Sequence, residues 1–168
     1  MRAVKKSTAS PSAVAEVHVS DLAPLPATVI RRAVADALAE DLGLVGDITT
    51  NATIPATTMA RAVMVARKPG VISGVDVAIA AFREVDERVR VTAVHGDGST
   101  VSPGDVVLRI EGPARAILTG ERVALNYMGR MSGIATLTRR YVDAVEGTAA
   151  KIVDTRKTTP GLRAFEKY

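Results

Sequence analysis

The sequence contains no cysteine, which excludes a disulfide scaffold, a thiolate metal site and a cysteine nucleophile in this chain. Aromatic residues make up only 3% of it, and no run of lysine and arginine is longer than two residues. The stacking platforms and dense phosphate-binding stripes of nucleic-acid-binding proteins are therefore not expected. The apolar runs are a few residues long and interrupted by charges, so none of them is long enough to cross a membrane.

The composition is that of a globular protein with a core: 47% of the 168 residues are apolar and 24% are charged. This length fits one domain, or one domain and a piece of another. The net charge of +4 is a mild excess that a small anionic substrate explains as well as a nucleic acid does. The absence of cysteine agrees with a reducing compartment, and we expect a cytoplasmic location.

The chain up to Ile110 predicts an α+β arrangement. Residues 1–24 lack the apolar segment of a secretory signal, and we expect a flexible N-terminal extension rather than a transit peptide. From Pro26 to Gly43, apolar residues recur every three to four positions, which predicts a helix. Helical spacing also predicts a helix at 75–85, and alternating or short apolar runs predict strands at 60–68, 88–94 and 106–110. Residues 46–55 predict an irregular segment.

The C-terminal third has the pattern of a helix followed by a strand and a polar loop. Residues 114–145 are apolar at helical spacing but contain several glycines, so we expect two helices with a break near 131–133. Residues 150–153 predict a short buried strand that opens into a polar loop at 154–161. This is one unit of a parallel α/β barrel, and one strand cannot close a barrel.

The polar loop carries the side chains best suited to bind a small polyanion. Arg156 offers a planar fork of donors that matches carboxylate or phosphate, and Lys157 offers a compact mobile charge. Thr155 and Thr158 add hydroxyl groups. Loops at the carboxyl ends of barrel strands form the ligand sites of such folds. The alternative is a solvated basic loop balanced by Asp154.

Four blocks of the sequence resemble the quinolinate phosphoribosyltransferases, the carboxylating nicotinate-nucleotide pyrophosphorylases. The two specific blocks are DTRKTTPGLR at 154–163 and GERVALNYMGRMSGIAT at 120–136. The weaker ones are EDLGLVGDITT at 40–50, and RKPG at 67–70 leading to 73–74. Together they extend over almost all of the chain after residue 25.

The resemblance implies a fold, a reaction and an assembly. Residues 25–129 would form an α+β open sandwich, hammerhead-like, and residues 130–168 the beginning of an α/β barrel. Quinolinate and phosphoribosyl pyrophosphate, the latter with Mg²⁺, would give nicotinate mononucleotide, pyrophosphate and CO₂ in NAD biosynthesis. The enzyme would be a homodimer or higher homo-oligomer with active sites shared between subunits. Elements absent from this chain would supply the Mg²⁺ ligands, so we expect the chain alone to be truncated and inactive.

Matching the motifs position by position assigns roles to individual residues. Arg156 and Lys157 would be the substrate-binding cations, with Thr155 beside them and Lys157 as the catalytic residue. Arg163 and Lys167 would either join this basic pocket or be solvated on a helix surface.

Arg122 matches an arginine that binds substrate in the other subunit's site. Its structural alternative is a surface ion pair with Glu121 or Glu146. Neither His18 nor His95 matches the histidine–arginine pair that the resemblance places in later elements.

Two other functions stay open at this point. The turns at 96–112 resemble those of lipoyl and biotinyl carrier domains, although no lysine for acylation lies between residues 94 and 112. A relative of the same fold that transfers phosphoribose to a different base is the other possibility.

Overall fold

The computed structural model describes residues 23–168. The extension predicted at 1–24 lies outside this range except for its last two residues, and His18 lies outside it as well. The helices and strands of the described range, in chain order, are α1 Ala27–Leu42, α2 Ile48–Thr53, β1 Met59–Val65, β2 Gly70–Val71, α3 Val75–Val85, β3 Arg90–Ala93, β4 Thr100–Val101, β5 Val106–Pro113, α4 Ala114–Ala144 and α5 Arg163–Lys167.

A three-stranded antiparallel sheet with the order β1-β5-β3 forms the base of the fold. In its register, Ala62 pairs with Ile110 and Glu111 pairs with Arg90. Because successive side chains of a strand point to opposite faces, β1 alternates between exposed and half-buried residues along its whole length. The small β2–β4 ladder forms a separate two-stranded sheet.

Helices cover one face of this sheet, and the core lies between them. The apolar stripe of α1 is buried at Ile30, Val34 and Leu38, as its spacing predicts. Phe82 on α3 and Leu108 on β5 are fully buried at the centre of the core. The other face of the sheet stays open. This is the predicted open α+β sandwich, and within residues 23–168 no barrel is closed.

Helix α4 is one continuous helix, and the predicted break near 131–133 is wrong. A glycine costs a helix only about 1 kcal/mol relative to alanine, and tertiary contacts exceed this cost here. The Ser132 hydroxyl accepts a hydrogen bond from the Ser73 N–H (3.0 Å) and donates one to the Ser73 carbonyl (3.2 Å). One turn later, the Thr136 hydroxyl accepts from the Val71 N–H (2.9 Å).

Two other local predictions differ from the structure. The strand predicted at 150–153 is absent because the described residues place no neighbouring strand beside it, and a strand needs a hydrogen-bonded partner. The segment predicted to be irregular at 46–55 contains α2, whose first turn is capped by Asp47: its carboxylate accepts from the Thr50 N–H at 3.0 Å. Among the described helices, none is long and apolar enough to span a bilayer.

Gly112 on β5 is a position where the fold has no room for a side chain. A Cβ atom there would lie 2.9 Å from the Cα atom of Val89, which is buried. We therefore expect Gly112→Ala to lower the free energy of unfolding by about 1–3 kcal/mol, the usual cost of overpacking. Urea denaturation would measure the change.

Gly129→Ala, on α4, is the matched control because a Cβ atom added at this glycine would have no atom within 4 Å apart from its chain neighbours and the surrounding backbone of its own helix. Removing a glycine from a helix interior should raise the free energy of unfolding by up to about 1 kcal/mol. Equal effects of the two substitutions would contradict the packing argument.

Candidate functional site

The predicted substrate-binding residues Thr155, Arg156 and Lys157 lie together on an exposed loop between α4 and α5. The Thr155 hydroxyl accepts a hydrogen bond from the Lys157 N–H at 3.1 Å, which bends the loop at this point. Within residues 23–168, neither the Arg156 guanidinium nor the Lys157 ammonium forms an ion pair. Asp154 does not balance them, since its carboxylate lies 2.5 Å from the Lys167 ammonium. Two cations are thus presented to solvent.

Helix α5 binds the backbone of this loop. The Arg163 guanidinium donates to the Thr158 hydroxyl (3.3 Å) and to the Arg156 carbonyl oxygen (3.4 Å). The Lys167–Asp154 pair adds a further contact between α5 and the loop. Arg163 and Lys167 are both exposed on α5, and a role for them in a basic pocket stays a prediction. They shape the loop that carries Arg156.

Glu166 connects the loop to α4. Its carboxylate accepts a hydrogen bond from the Thr159 N–H at 3.0 Å and from Nε of Arg130, on α4, at 2.9 Å. Only 10% of the Glu166 side chain is exposed. The Arg130 hydrogen bond, helped by the Thr159 N–H, lowers the pKa of Glu166 to about 2.

Arg122 lies on α4 with 47% of its side chain exposed, and it pairs with two aspartates. Its Nε lies 3.0 Å from Oδ2 of Asp41, and its Nη2 lies 3.5 Å from Oδ2 of Asp47. The ion pair of the structural alternative is thus present, but its partners are Asp41 and Asp47 rather than Glu121 or Glu146. The hydrogen bond to Asp41 raises the pKa of Arg122, which stabilises the protonated form of its guanidinium.

Asp47 is the one acidic side chain in the core, among the residues described. Besides the Thr50 N–H, it accepts hydrogen bonds from the hydroxyls of Thr50 (2.7 Å) and Thr119 (3.2 Å). The hydrogen bond from the Thr50 N–H, followed by that from its hydroxyl, lowers the pKa of Asp47, although burial opposes the shift. The carboxylate is therefore ionised at neutral pH.

The structure does not bring Arg122 into contact with the Thr155–Lys157 loop of the same chain. The two groups also lie outside the two cavities that flank α4. One cavity, of about 510 Å³, lies between α4 and residues 64–71. The other, of about 410 Å³, contains Asp97, whose pKa is raised by burial.

Sequence reasoning missed the residues that hold the cations, namely Asp41, Asp47, Arg130 and Glu166. Only Asp47 has a local signal, because an aspartate three residues before a threonine is typical of a helix N-cap. The other contacts join positions 36 to 81 residues apart, which no local pattern shows.

An open sandwich with helices on one face, followed by an exposed loop that carries two cations, defines the chain as an α+β protein. Residues 47–132 match the family model "Quinolinate phosphoribosyl transferase, N-terminal domain", and residues 134–168 match that of the C-terminal domain. The chain belongs to the quinolinate phosphoribosyltransferase family. The segment that resembles a carrier-domain turn falls inside the matched N-terminal domain. The domain boundary near residue 130 stays a prediction, since α4 runs through it uninterrupted.

Curated relatives agree with this assignment. The chain is 52% identical over 134 residues to the nicotinate-nucleotide pyrophosphorylase [carboxylating] of Mycobacterium leprae, covering 79% of this chain and 47% of the relative. It is 42% identical over 160 residues to the chloroplastic protein of the same name from Oryza sativa subsp. japonica, covering 95% of this chain and 42% of the relative. The chain thus spans about half the length of these curated relatives.

Solved structures share the fold. NadC from Streptococcus pyogenes superposes with a TM-score of 0.83 at 39% identity, over 88% of this chain and 52% of that one. The nicotinate-nucleotide pyrophosphorylase of Francisella tularensis gives a TM-score of 0.81 at 32% identity, over 86% and 51% of the two chains.

The low pKa of Glu166 predicts how the attachment of the loop depends on pH. A carboxyl group whose pKa is depressed on folding stabilises the folded state above its ordinary pKa of 4.5, and this contribution is lost as pH falls from there towards 2. The difference in melting temperature between the wild type and Glu166→Gln should therefore shrink as pH falls below 4.5.

NMR titration of the Glu166 carboxyl carbon provides the direct measurement. At pH 3 the group should still be ionised in the wild type, whereas Arg130→Ala should move its midpoint towards the ordinary value. A wild-type midpoint near 4.5 would show that the contact with Arg130 does not persist in solution.

Proposed function

We propose that this chain is part of a quinolinate phosphoribosyltransferase, which forms nicotinate mononucleotide, pyrophosphate and CO₂ from quinolinate and phosphoribosyl pyrophosphate in NAD biosynthesis. The observation that carries the proposal is a pair of exposed cations, Arg156 and Lys157, on a loop whose backbone is held by α5. Neither cation has an ion-pair partner among residues 23–168. Family membership and the names of the curated relatives support it.

The proposed reaction needs mainly cations and a fixed geometry. Quinolinate carries two carboxylates, and a guanidinium such as that of Arg156 can bind one of them through two parallel hydrogen bonds. Displacement at C1 of the ribose builds up positive charge on the sugar and negative charge on the leaving pyrophosphate. We assign Lys157 to the stabilisation of developing negative charge, with Thr155 as its substrate-binding neighbour. Such catalysis relies on positioning and requires no covalent nucleophile.

We assign Arg122 to the active site of a neighbouring subunit in a homodimer. Two features support this assignment: its side chain is half exposed, and within its own chain it makes no contact with the Arg156 loop. A substrate bound between subunits would then be held by the loop of one and by Arg122 of the other.

Mg²⁺ is proposed to enter with the phosphates of phosphoribosyl pyrophosphate. Residues 23–168 contain no group of three or more histidine or acidic side chains that could hold a metal ion, so we propose none of them as a Mg²⁺ ligand. We further propose that turnover requires barrel elements other than those in residues 130–168. The absence of cysteine supports the proposal that the protein works in the reducing cytoplasm.

Arg156→Ala tests the role of the loop. Losing a hydrogen bond between charged groups costs about 1.5–3 kcal/mol, so quinolinate binding should weaken roughly 10- to 100-fold. Isothermal titration calorimetry with quinolinate measures the Kd. The control is Arg32→Ala, because Arg32 is 87% exposed on α1 and should not matter. Equal Kd values for Arg156→Ala and the wild type would refute the proposed site.

Mixing two inactive variants tests the shared site. If Arg122 acts in the neighbouring subunit, an Arg122→Ala subunit paired with an Arg156→Ala subunit retains one intact site. Random mixing should then restore about a quarter of wild-type activity, since half of the dimers are mixed and each has one of two sites. Formation of nicotinate mononucleotide is the measurement, made on subunits that also carry the remaining barrel elements. Activity that stays at the level of the separate variants would place Arg122 in its own subunit's site.

A further inference from the structure

The block at residues 40–50 contains no residue assigned to substrate binding, yet it supplies both carboxylates that contact Arg122. Asp41 lies at the end of α1, and Asp47 caps α2. The Arg122 Nε–H is shared by the two oxygens of Asp41, at 3.2 and 3.0 Å. The Arg122 Nη2 lies 3.5 Å from Asp47. One edge of the guanidinium is therefore enclosed by acidic oxygens.

The local backbone explains how two aspartates six residues apart reach the same arginine. Gly43 and Gly46 have φ angles of 52° and 70°, in the left-handed region that favours glycine. These two glycines let the chain end α1 and turn back within four residues, so that Asp47 starts α2 beside α4.

Asp47 is fixed independently of Arg122. Its hydrogen bonds to the amide and hydroxyl of Thr50 and to the hydroxyl of Thr119 occupy both of its oxygens, and only 6% of its side chain is exposed. Thr119 precedes Arg122 by three residues on α4, so the two side chains leave the helix on the same side. The aspartate is thus tied to the turn that presents the arginine.

The opposite edge of the guanidinium stays available. Within the described part of the chain, Nη1 of Arg122 has no polar contact, and the side chain remains half exposed. We infer that Asp41 and Asp47 are positioning residues that hold the Arg122 guanidinium with its Nη1 edge directed outwards, to receive a substrate carboxylate or phosphate. This inference rests on the proposed function of Arg122.

Two opposing effects act on the anion, and their balance can be measured. A guanidinium held in place before the anion arrives loses less side-chain freedom on binding, which favours affinity. The two carboxylates also repel an incoming anion, which disfavours it. If positioning outweighs repulsion, removal of Asp41 must weaken binding although it removes a negative charge.

The first test concerns Arg122 itself and does not depend on turnover. An arginine Nε–H bonded to a carboxylate exchanges slowly with water, so its ¹H–¹⁵N NMR signal should be visible in the wild type and broadened in Asp41→Ala. The matched control is Glu111→Ala, which breaks another exposed ion pair between elements, Arg61–Glu111, and should leave the Arg122 signal unchanged. A signal unaffected by Asp41→Ala would overturn the inference.

The second test uses kinetics and a double-mutant cycle in a protein that also carries the remaining barrel elements. Asp41→Ala should lower kcat/KM roughly 10-fold, and Asp41→Asn should lower it less, because the amide oxygen still accepts the Nε–H. In the Arg122→Ala background, Asp41→Ala should have no further effect. Melting temperatures of all variants, compared with Glu111→Ala, separate these losses from a loss of stability.

The outcomes distinguish the two levels of proposal. If the wild type does not convert quinolinate and phosphoribosyl pyrophosphate even with the remaining barrel elements present, the proposed function is contradicted. The assignment of the outward edge of Arg122 to substrate is then contradicted as well. If the wild type is active, two results overturn only the positioning role. One is that Asp41→Ala has its full effect in the Arg122→Ala background, and the other is that Asp41→Ala increases kcat/KM.

Discussion

Helix α4 has to remain helical across its glycines for both cationic groups to keep their places. Arg122 projects from its N-terminal third, and Arg130, near its middle, holds α5 and the Arg156 loop through Glu166. The hydrogen bonds of Ser132 and Thr136 to the backbone at 71–73 fix this helix to the sandwich. A single rigid element therefore determines the positions of both groups, and a break in it would separate them from each other.

The two arginines proposed to bind substrate are held in different ways. The Arg122 side chain itself is bound by carboxylates, so its direction is set and its charge partly compensated. For Arg156 the backbone is bound, through its carbonyl oxygen and the neighbouring Thr158, while the guanidinium has no acidic partner in residues 23–168. The contacts of Arg122 fix the orientation of its guanidinium, whereas the guanidinium of Arg156 keeps its full attraction for an anion.

The sequence predicted those features that local patterns encode. Apolar periodicity identified α1, α3 and the three strands of the larger sheet, and motif resemblance identified the cationic loop. The break in α4 was wrong because glycine propensity is a local penalty, whereas Ser132 meets residues 59 positions away. The prediction of a strand at 150–153 was wrong for a similar reason, because a strand forms only beside another strand to which it can hydrogen-bond. The partners of Arg122 could not be foreseen, because Asp41 lies 81 residues from it.

The distance along α4 from Arg122 to Arg130 is eight residues, or about 12 Å, and their directions differ by about 80° around the axis. Inserting or deleting one residue between them would rotate one group relative to the other by about 100° and shift it by about 1.5 Å. Exposed positions in this interval, such as Leu125 and Asn126, can vary in side chain at little cost, whereas the number of residues cannot change. This interval works as a spacer: its length sets where the Arg122 side chain lies relative to the Arg156 loop that Arg130 holds through Glu166.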